Sequence, residues 1–311
     1  MYILYLLTGF LVGMGLSVQT SINGRLRKSV KSPFLTSLIS FSVSFLFIAL
    51  LAYIQTSTLI IPSEFFRYHP VWIWFGGLFG CVFLTGNILL FPKLGAVQTV
   101  IFPILGQILA GLCIDEFGLF QAPLSPMTVY KAVGTMLVLG GVMGVVWFAH
   151  QKTQPVETQN QNIARHSLWF WRVLGICTGA CSTLQITING QLGLALHSAF
   201  HASLISFIVG IISLSLMVAI QRPKLECNMQ KAPWWMWTGG FLGALYVLGN
   251  AWISPQIGTG SAVVVGLLGL MTAGLIIDHT GMLQSAKKPV SWQQMVCLGA
   301  MFAGVCLIRL I

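Results

Sequence analysis

The sequence predicts an all-α polytopic membrane protein in which ten transmembrane helices form two inverted repeats of five helices each. Three observations predict this fold class. Of the 311 residues, 56% are hydrophobic and only 7% are charged, whereas about a quarter of the residues in a soluble domain are charged. Uncharged runs of spanning length recur along the chain, and the second half repeats the first. Lipid is therefore the expected solvent for most of the protein.

The uncharged runs define the predicted spans. A bilayer core about 30 Å thick needs about 20 apolar residues per spanning helix. Six runs fit one helix each and two runs fit two helices each, which gives ten spans, numbered here in chain order. The single runs are 1–24, 32–63, 68–92, 94–114, 132–151 and 289–308, and the double runs are 173–221 and 232–277.

An internal repeat is strongest between 72–118 and 235–281, which match at a constant offset of 163 residues. These stretches are identical at 18 of 47 positions, and most of the identities are Gly, Asn, Pro, Asp and Trp. Shared apolar composition does not explain such matches, so a duplicated unit is predicted. Toward the N-terminus the match continues at an offset of 166 residues, and there it includes the pairs Gln19/Gln185 and Asn23/Asn189.

The loop charges predict the orientation. Basic residues favour cytoplasmic loops, and thirteen of the sixteen Lys and Arg residues lie on one side of the predicted spans. Because each repeat has an odd number of spans, the second repeat enters from the opposite side and is inverted. Both termini are predicted to be periplasmic or extracellular. The predicted domains are a first repeat at 1–150, a cytoplasmic polar linker at 151–167 and a second repeat at 168–311.

Composition disfavours several functional classes. The net charge of +10 is scattered over short loops and forms no basic domain, so no nucleic-acid partner is expected. Six acids, none of them in mid-span, argue against an enzyme. The seven cysteines form no Cys-x-x-Cys pair, so neither a disulfide framework nor a metal or other cofactor is expected.

Polar side chains inside the predicted spans are the candidate functional residues, because polar groups are costly in lipid. The inner polar set, toward the cytoplasm, is Gln19, Asn23, Asn87 and Asp278, and the outer polar set is Gln185, Asn189, Asn250 and Asp115. We interpret the two sets as gates that bind substrate, with the two aspartates as candidates for proton or ion coupling. Alternatively, the amides hold helices together at about 0.6 kcal/mol each, and the carboxylates reach water at helix ends.

Pro103 and Gly266 occupy equivalent positions in spans 4 and 9. Proline removes a backbone donor and glycine loosens a helix, so both repeats weaken the same helix at the same level. We interpret the pair as a hinge, with a static kink as the alternative. The predicted substrate position lies between the two gates, near Pro103, Gln107, Gly266 and Met271.

Glycines at four-residue spacing recur in five spans, as Gly9/Gly13, Gly76/Gly80, Gly140/Gly144, Gly175/Gly179 and Gly239/Gly243. Such spacing permits close approach of helix backbones in lipid. The pattern predicts packing within the chain, with a homodimer face as the alternative.

Two motifs occur once in each repeat. Gln-x3-Asn-Gly begins at Gln19 and at Gln185, and Gly-x8-Asp-x2-Gly begins at Gly106 and at Gly269. Together with ten spans in two inverted repeats, these motifs resemble the drug/metabolite transporter superfamily. Within it the chain is most similar to the YdcZ-like branch, whose usual members are single five-helix chains, so it looks like a fused tandem duplication. The resemblance covers both halves and leaves out the linker.

The resemblance implies a multi-pass protein of the bacterial inner (plasma) membrane, with ten helices that form a basket. It also implies a central cavity lined by spans 1, 3, 4, 6, 8 and 9, and the export of small metabolites or toxic compounds. Inverted repeats are typical of alternating access. The four-helix multidrug members use a glutamate in helix 1, and span 1 here has no acid, so neutral, zwitterionic or amphipathic substrates are favoured. A lipid-headgroup flippase and a non-transporting scaffold or assembly subunit are the alternatives. Coupling to protons or ions, and a monomeric or homodimeric state, stay open.

Overall fold

The computed structural model describes residues 1–61, 65–151, 165–223, 233–284, 287 and 289–309. Within these ranges the chain forms ten α-helices and four short 3-10 helices, with no strand, so the prediction of an all-α protein is confirmed. Most of the predicted linker, 152–164, lies outside the described residues. The helices are α1 Tyr2–Val30, α2 Pro33–Thr56, α3 Phe65–Tyr68, α4 Gly76–Phe117, α5 Val129–Gln151, α6 Arg165–Ala195, α7 Ala199–Gln221, α8 Gly239–Ile257, α9 Thr259–Thr280 and α10 Trp292–Arg309.

The ends of several helices follow from local sequence. Ser32 caps α2, since its hydroxyl accepts the backbone N–H of Leu35, and Ser198 caps α7 in the same way through His201. The glycines that end the Gly-x8-Asp-x2-Gly motif are the C-caps of α4 and α9. Gly118 has φ 60° and Gly281 has φ 72°, a left-handed conformation that glycine adopts without strain. The motif therefore marks a helix end in each half of the chain.

Six helical segments of the described chain are long and apolar enough to cross a membrane, judged by length and composition. They are Tyr2–Val30, Pro33–Thr56, Gln98–Phe117, Val129–Ala149, Ala199–Gln221 and Thr259–Thr280, and a shorter apolar helix is Trp292–Ile308. Both double runs divide into two helices, the first between α6 and α7 and the second at Gly258 between α8 and α9. Spans 3 and 4, predicted to be separate, instead lie within the single assigned helix α4.

The contacts of α4 show that it doubles back along α6. The first arm (76–90) runs toward the beginning of α6, since Gly76 contacts Asn189 and Gly86 contacts Thr178. The second arm (98–117) runs the opposite way, since Gly106 contacts Ile176 and Gly111 lies near Thr183. A straight helix would separate Gly76 and Gly111 by about 53 Å, at 1.5 Å per residue. Their contacts on α6 are only six residues apart, or about 9 Å. The two arms of α4 are therefore antiparallel.

Helices α8 and α9 follow α1 in the same manner. Gly239 of α8 contacts Asn23 and Gly249 contacts Val12, and then Gly269 of α9 contacts Phe10. The reversal occurs at Gly258, whose φ of 81° and ψ of 151° lie outside the range that other residues adopt readily. These contacts match those of α4 on α6, residue for residue, at the offsets of the sequence repeat.

The glycine pairs of four of the five spans pack against neighbouring helices of the same chain. A Cβ atom on Gly13 would overlap the backbone oxygen of Gly266, and one on Gly179 would overlap that of Pro103. By contrast, a Cβ on Gly140 would meet nothing within 4 Å, although Gly144 packs on Cys297 of α10. The main apolar core lies where α5 and α10 pack against α9 and the second arm of α4, around Ile108, Val138, Val142, Leu268 and Met301.

Candidate functional site

A cavity of about 520 Å³ lies between α1, the two arms of α4, α8 and α9. Five of the predicted site residues line it, namely Asn87, Pro103, Gln107, Gly266 and Asp278. Equivalent positions in the two repeats thus meet at one cavity, since Pro103 and Gly266 are related by the repeat offset. The described lining includes no residue of α6, so the expected contribution of span 6 to the cavity is not seen there.

The cavity wall combines polar and apolar groups. The polar lining residues include Thr20, Asn87, Gln107 and Asp278, and the apolar ones include Val263. The Asn87 side chain donates to the backbone oxygen of Phe83 at 3.0 Å, which leaves its amide oxygen as a hydrogen-bond acceptor. The hydroxyl of Thr20 donates within its own helix, to Leu16 at 2.8 Å. Such a wall suits a small compound with both apolar surface and a few hydrogen-bonding groups.

Four of the predicted amides face glycines rather than the described cavity lining. A Cβ on Gly80 would lie 2.5 Å from Nε2 of Gln185, and one on Gly243 would lie 2.5 Å from Nε2 of Gln19. The asparagines lie one turn after these glutamines on α6 and α1 and contact the first residues of α4 and α8. Asn189 contacts Gly76, and Asn23 contacts Gly239. Each asparagine also donates to a serine on the next helix, Asn189 to Ser206 at 3.0 Å and Asn23 to Ser40 at 3.3 Å.

Three of these four amide oxygens have no conventional hydrogen-bond donor in the described chain. Oδ1 of Asn23, Oδ1 of Asn189 and Oε1 of Gln19 are buried without a hydrogen-bond partner in the described chain. The asparagine oxygens instead lie against glycine Cα groups at helix starts, where weak Cα–H···O contacts form and the helix dipole favours negative charge. The amides of the Gln-x3-Asn-Gly motif therefore lie where α4 contacts α6 and where α8 contacts α1.

The carboxylate of Asp115 caps the start of α9. The backbone N–H of Thr259 donates to Oδ1 at 2.9 Å, and that of Gly260 donates to Oδ2 at 3.0 Å. The first N–H groups of a helix have no partners within the helix, and a carboxylate there also interacts with the helix dipole. Asp115 is only 5% exposed. The hydroxyl of Thr187 on α6 adds a bond of 3.1 Å to that of Thr259, so the end of α4, α6 and the start of α9 are held together.

The remaining predicted residues are Asn250, Met271, Pro103 and Gly266. Asn250 is buried, and its side chain donates to the backbone oxygen of Tyr246 at 2.9 Å, as Asn87 does to Phe83. Met271, expected near the substrate, is buried in the apolar core rather than in the described cavity wall. Pro103 and Gly266 both line the cavity and both present a backbone oxygen to a glycine of the neighbouring helix.

The sequence matches the model of a known protein family in both halves of the chain. The family model described as "Putative inner membrane exporter, YdcZ" matches the chain twice, over residues 4–144 and 170–307. The chain belongs to the YdcZ family. It contains two family units in tandem, so the resemblance seen in the Gln-x3-Asn-Gly and Gly-x8-Asp-x2-Gly motifs is confirmed. The family of this YdcZ-family protein is one of membrane transporters.

Other comparisons bear on the fold alone. One similar crystal structure superposes on the chain with a TM-score of 0.66 at 15% sequence identity. The match covers 99% of the YdcZ-family chain and 96% of the other chain. No curated protein matches the sequence.

The sequence pattern did not indicate the hydroxyl residues that join α6 to α4 and to α8. Thr183 donates to the backbone oxygen of Gln107 at 2.9 Å, and Ser254 donates to that of Ile186 at 3.3 Å. Serine and threonine are common in membrane helices and usually bond within their own helix, so the pattern gave no reason to select these two. Thr259, directly after Gly258, could have been found as a helix start following a break.

No group of three or more His, Cys, Asp or Glu residues that could hold a metal ion occurs in the described ranges. The cysteines there are unpaired thiols on the helices. The chemistry that the cavity offers is therefore hydrogen bonding, apolar contact and one carboxylate.

Proposed function

We propose that this YdcZ-family protein is a secondary-type exporter of small metabolites or toxic compounds that works by alternating access of two inverted repeats. The observation that carries the proposal is the cavity of about 520 Å³, to which both repeats contribute polar residues. Asn87 and Gln107 come from the first repeat, and Tyr246 and Asp278 come from the second.

The proposed state of the structure is open to the cytoplasm. In the outer polar set, Asn189, Asn250 and Asp115 are 2%, 3% and 5% exposed. In the inner polar set, Asn87 and Asp278 are half-buried and line the cavity. With the orientation predicted from the loop charges, the cavity opens inward and the Asp115 cap closes the outer end. Outward opening would require the start of α9 to separate from the Asp115 carboxylate. By the repeat symmetry, Asp278 would then cap the start of the second arm of α4.

Coupling is proposed to use the same two aspartates. Asp115 lies in the last turn of α4, which carries Pro103, and Asp278 lies in the last turn of α9, which carries Gly266. The two carboxylates are at opposite ends of the proposed pathway. Binding of a proton or another cation at one of them would weaken its hold on a helix start, because that hold depends on negative charge. Asn87 and Gln107 are the proposed substrate contacts. Gln19, Asn23, Gln185, Asn189 and Asn250 are proposed to act through the helix contacts that they make.

The ten-span inverted topology makes a direct prediction about labelling. Lys28, near the end of α1, and His197, between α6 and α7, are both exposed, and we expect them in opposite compartments. In a cysteine-free background, a membrane-impermeant maleimide applied to intact spheroplasts should label His197→Cys and leave Lys28→Cys unlabelled. Permeabilised spheroplasts provide the control, in which both sites should react. Labelling of both sites from outside in intact spheroplasts would overturn the inverted arrangement.

The proposed substrates are neutral, zwitterionic or amphipathic. The described cavity wall contains no Lys, Arg or His, and most of its residues are apolar or carry hydroxyl and amide groups. This composition supports compounds that bury apolar surface and use a small number of hydrogen bonds.

Filling the cavity should stop transport without unfolding the protein. A Cβ on Gly266 would meet only the backbone oxygen of Gly9, at 3.9 Å, so Gly266→Leu can project into the cavity without a backbone clash. We expect the transport rate in proteoliposomes to fall about ten-fold or more, which corresponds to about 1.4 kcal/mol of lost binding or raised barrier. The assay is uptake of a broad metabolite panel, with and without a pH gradient.

The matched control is Gly140→Leu. Gly140 is exposed on α5 with nothing within 4 Å of a Cβ, so the same added volume points away from the cavity. The control should transport at the wild-type rate, and both variants should elute as folded protein in size-exclusion chromatography. Unimpaired transport by folded Gly266→Leu would contradict the proposed pathway.

A lipid-headgroup flippase would need the pathway to open sideways into the bilayer. The structure has an apolar groove of about 490 Å³ between α1, α8 and the start of α7, around Leu11, Gly15, Leu245 and Trp252. In the described chain this groove shares no lining residue with the proposed pathway, which favours a small-molecule substrate. The hypothesis of a non-transporting scaffold does not explain why polar residues of both repeats line a cavity.

A further inference from the structure

Two cations and two aromatic side chains lie together near the beginning of α6, apart from the cavity. The Lys93 ammonium lies 5.8 Å from the centre of the Trp171 ring. The Arg172 guanidinium lies 5.9 Å from the centre of the Phe102 ring, and its Nε donates to Oε1 of Gln98 at 3.0 Å. We call Lys93, Gln98, Phe102, Trp171 and Arg172 the basic cluster.

The basic cluster joins α6 to both arms of α4. One turn further along α6, a Cβ on Gly175 would lie 2.9 Å from the Phe102 side chain and 3.5 Å from the Leu90 side chain. Lys93 lies where the first arm ends, and Gln98 begins the second arm. A ligand bound here would therefore contact α6 close to the reversal of α4.

Most of the hydrogen-bond donors of the basic cluster are unused. Arginine carries five N–H donors and lysine three, and only Nε of Arg172 has an acceptor in the described chain. Neither cation forms an ion pair with any residue that the structure describes. Stacking on aromatic faces holds both side chains, and it leaves the two NH2 groups of Arg172 and the ammonium of Lys93 free to bind an anion.

The location is the membrane interface. Trp169 and Phe170, immediately before the cluster on α6, are 66% and 60% exposed, and such aromatic residues lie at the level of lipid headgroups. The equivalent positions in the other repeat are Gln256 for Lys93, Ser261 for Gln98, Val265 for Phe102, Tyr5 for Trp171 and Leu6 for Arg172. None of these is charged, so the duplication alone does not account for the cluster.

We propose that the basic cluster binds the phosphate group of an anionic phospholipid. Guanidinium groups bind phosphate oxygens through charge-assisted hydrogen bonds, and basic pockets between membrane helices at the cytoplasmic face bind anionic headgroups. The acyl chains would lie along the exposed apolar surface beside α6. The bound lipid would link α6 to the reversal of α4 and stabilise that contact. This site goes beyond the proposed transport function and does not depend on it.

The test measures lipid binding to the purified full-length protein by native mass spectrometry and by thermal stability in detergent. Phosphatidylglycerol is the anionic probe, phosphatidylcholine is the neutral lipid and inorganic phosphate is the free anion. Each basic residue near an anionic surface contributes about 1 kcal/mol, so the Lys93→Gln/Arg172→Gln variant should bind phosphatidylglycerol roughly thirty-fold more weakly. Phosphatidylcholine binding should not change.

The matched control is Arg27→Gln/Lys28→Gln, which removes the same charge from two exposed residues at the end of α1. It should bind phosphatidylglycerol as the wild type does. Because Arg172→Gln also removes the bond to Gln98, the single variant Lys93→Gln keeps that bond and should still lose about five-fold in affinity. Equal phosphatidylglycerol binding by the wild type and Lys93→Gln, an equal loss in the control, or equal stabilisation by inorganic phosphate would overturn the proposal.

Discussion

Gly179→Ala is expected to destabilise this protein strongly, although it adds only one methyl group. The Cβ of alanine would overlap the backbone oxygen of Pro103, where α6 packs on the second arm of α4. Backbone atoms in a packed helix pair cannot move aside as a flexible side chain can, and overpacking of this kind costs about 1–3 kcal/mol or more. We expect a lower melting temperature and a lower yield of folded protein, measured by fluorescence-detected size-exclusion chromatography after heating.

The control for this substitution is Gly140→Ala, which comes from the same class of four-residue glycine pairs. A Cβ there meets nothing within 4 Å, and alanine is a better helix former than glycine. The control should therefore be as stable as the wild type or slightly more stable. If the two variants melted together, the contact between α6 and α4 would not be as close as the structure has it. Gly13→Ala, which meets the backbone oxygen of Gly266 in the other repeat, should behave like Gly179→Ala.

Asp115→Ala should open the outer end of the protein. The substitution removes both acceptors of the Thr259 and Gly260 N–H groups, and a hydrogen bond to a charged group contributes about 1.5–3 kcal/mol. If this cap holds the outer end closed, its loss shifts the population toward an outward-open state by about ten-fold or more, since 1.4 kcal/mol corresponds to about a factor of ten. The site to measure is Ser261, which is 4% exposed at the start of α9.

The experiment compares the rate at which a membrane-impermeant thiol reagent labels Ser261→Cys from outside, with and without Asp115→Ala, in a cysteine-free background. Glu116→Ala is the neighbouring control. It also removes a carboxylate, but one that accepts the backbone N–H of Met127 in the loop after α4. The labelling rate should rise with Asp115→Ala and stay unchanged with Glu116→Ala. Equal labelling rates in all three proteins would show that Asp115 caps a helix without controlling access.

The sequence repeat predicted which residues are equivalent, and the structure repeats their contacts. Asn23 and Asn189 each donate to a serine at the same spacing, and Gln19 and Gln185 each cover a glycine. The pattern could not predict that these amides face glycines rather than the cavity wall. In a helix that is apolar on every side, hydrophobic periodicity does not show which face meets another helix. The side-chain direction therefore depends on packing partners that are distant in the sequence.

Some of the candidate polar residues meet at the cavity, and others do not. Asn87, Gln107 and Asp278 were chosen for their place along the predicted spans, and all three line the cavity together with Pro103 and Gly266. Asp115 was chosen by the same rule, yet it caps α9, a helix that begins 144 residues later in the chain. The sequence predicted separate spans at 68–92 and 94–114, and in the structure both fall within α4. The reversal between them is evident from the contacts of the two arms with α6.

The sequence by itself determined that the chain is built for lipid, that it contains one unit twice, and which glycines, amides and aspartates are equivalent. These properties depend only on hydropathy and on residue spacing along the chain, so they can be determined without knowledge of the fold. Only the tertiary structure decided which of the equivalent polar groups line the cavity, which hold helices together, and that Asp115 closes on the start of α9. In lipid these choices rest on close backbone approach and on hydrogen bonds between distant segments, and neither leaves a periodic signal in the sequence.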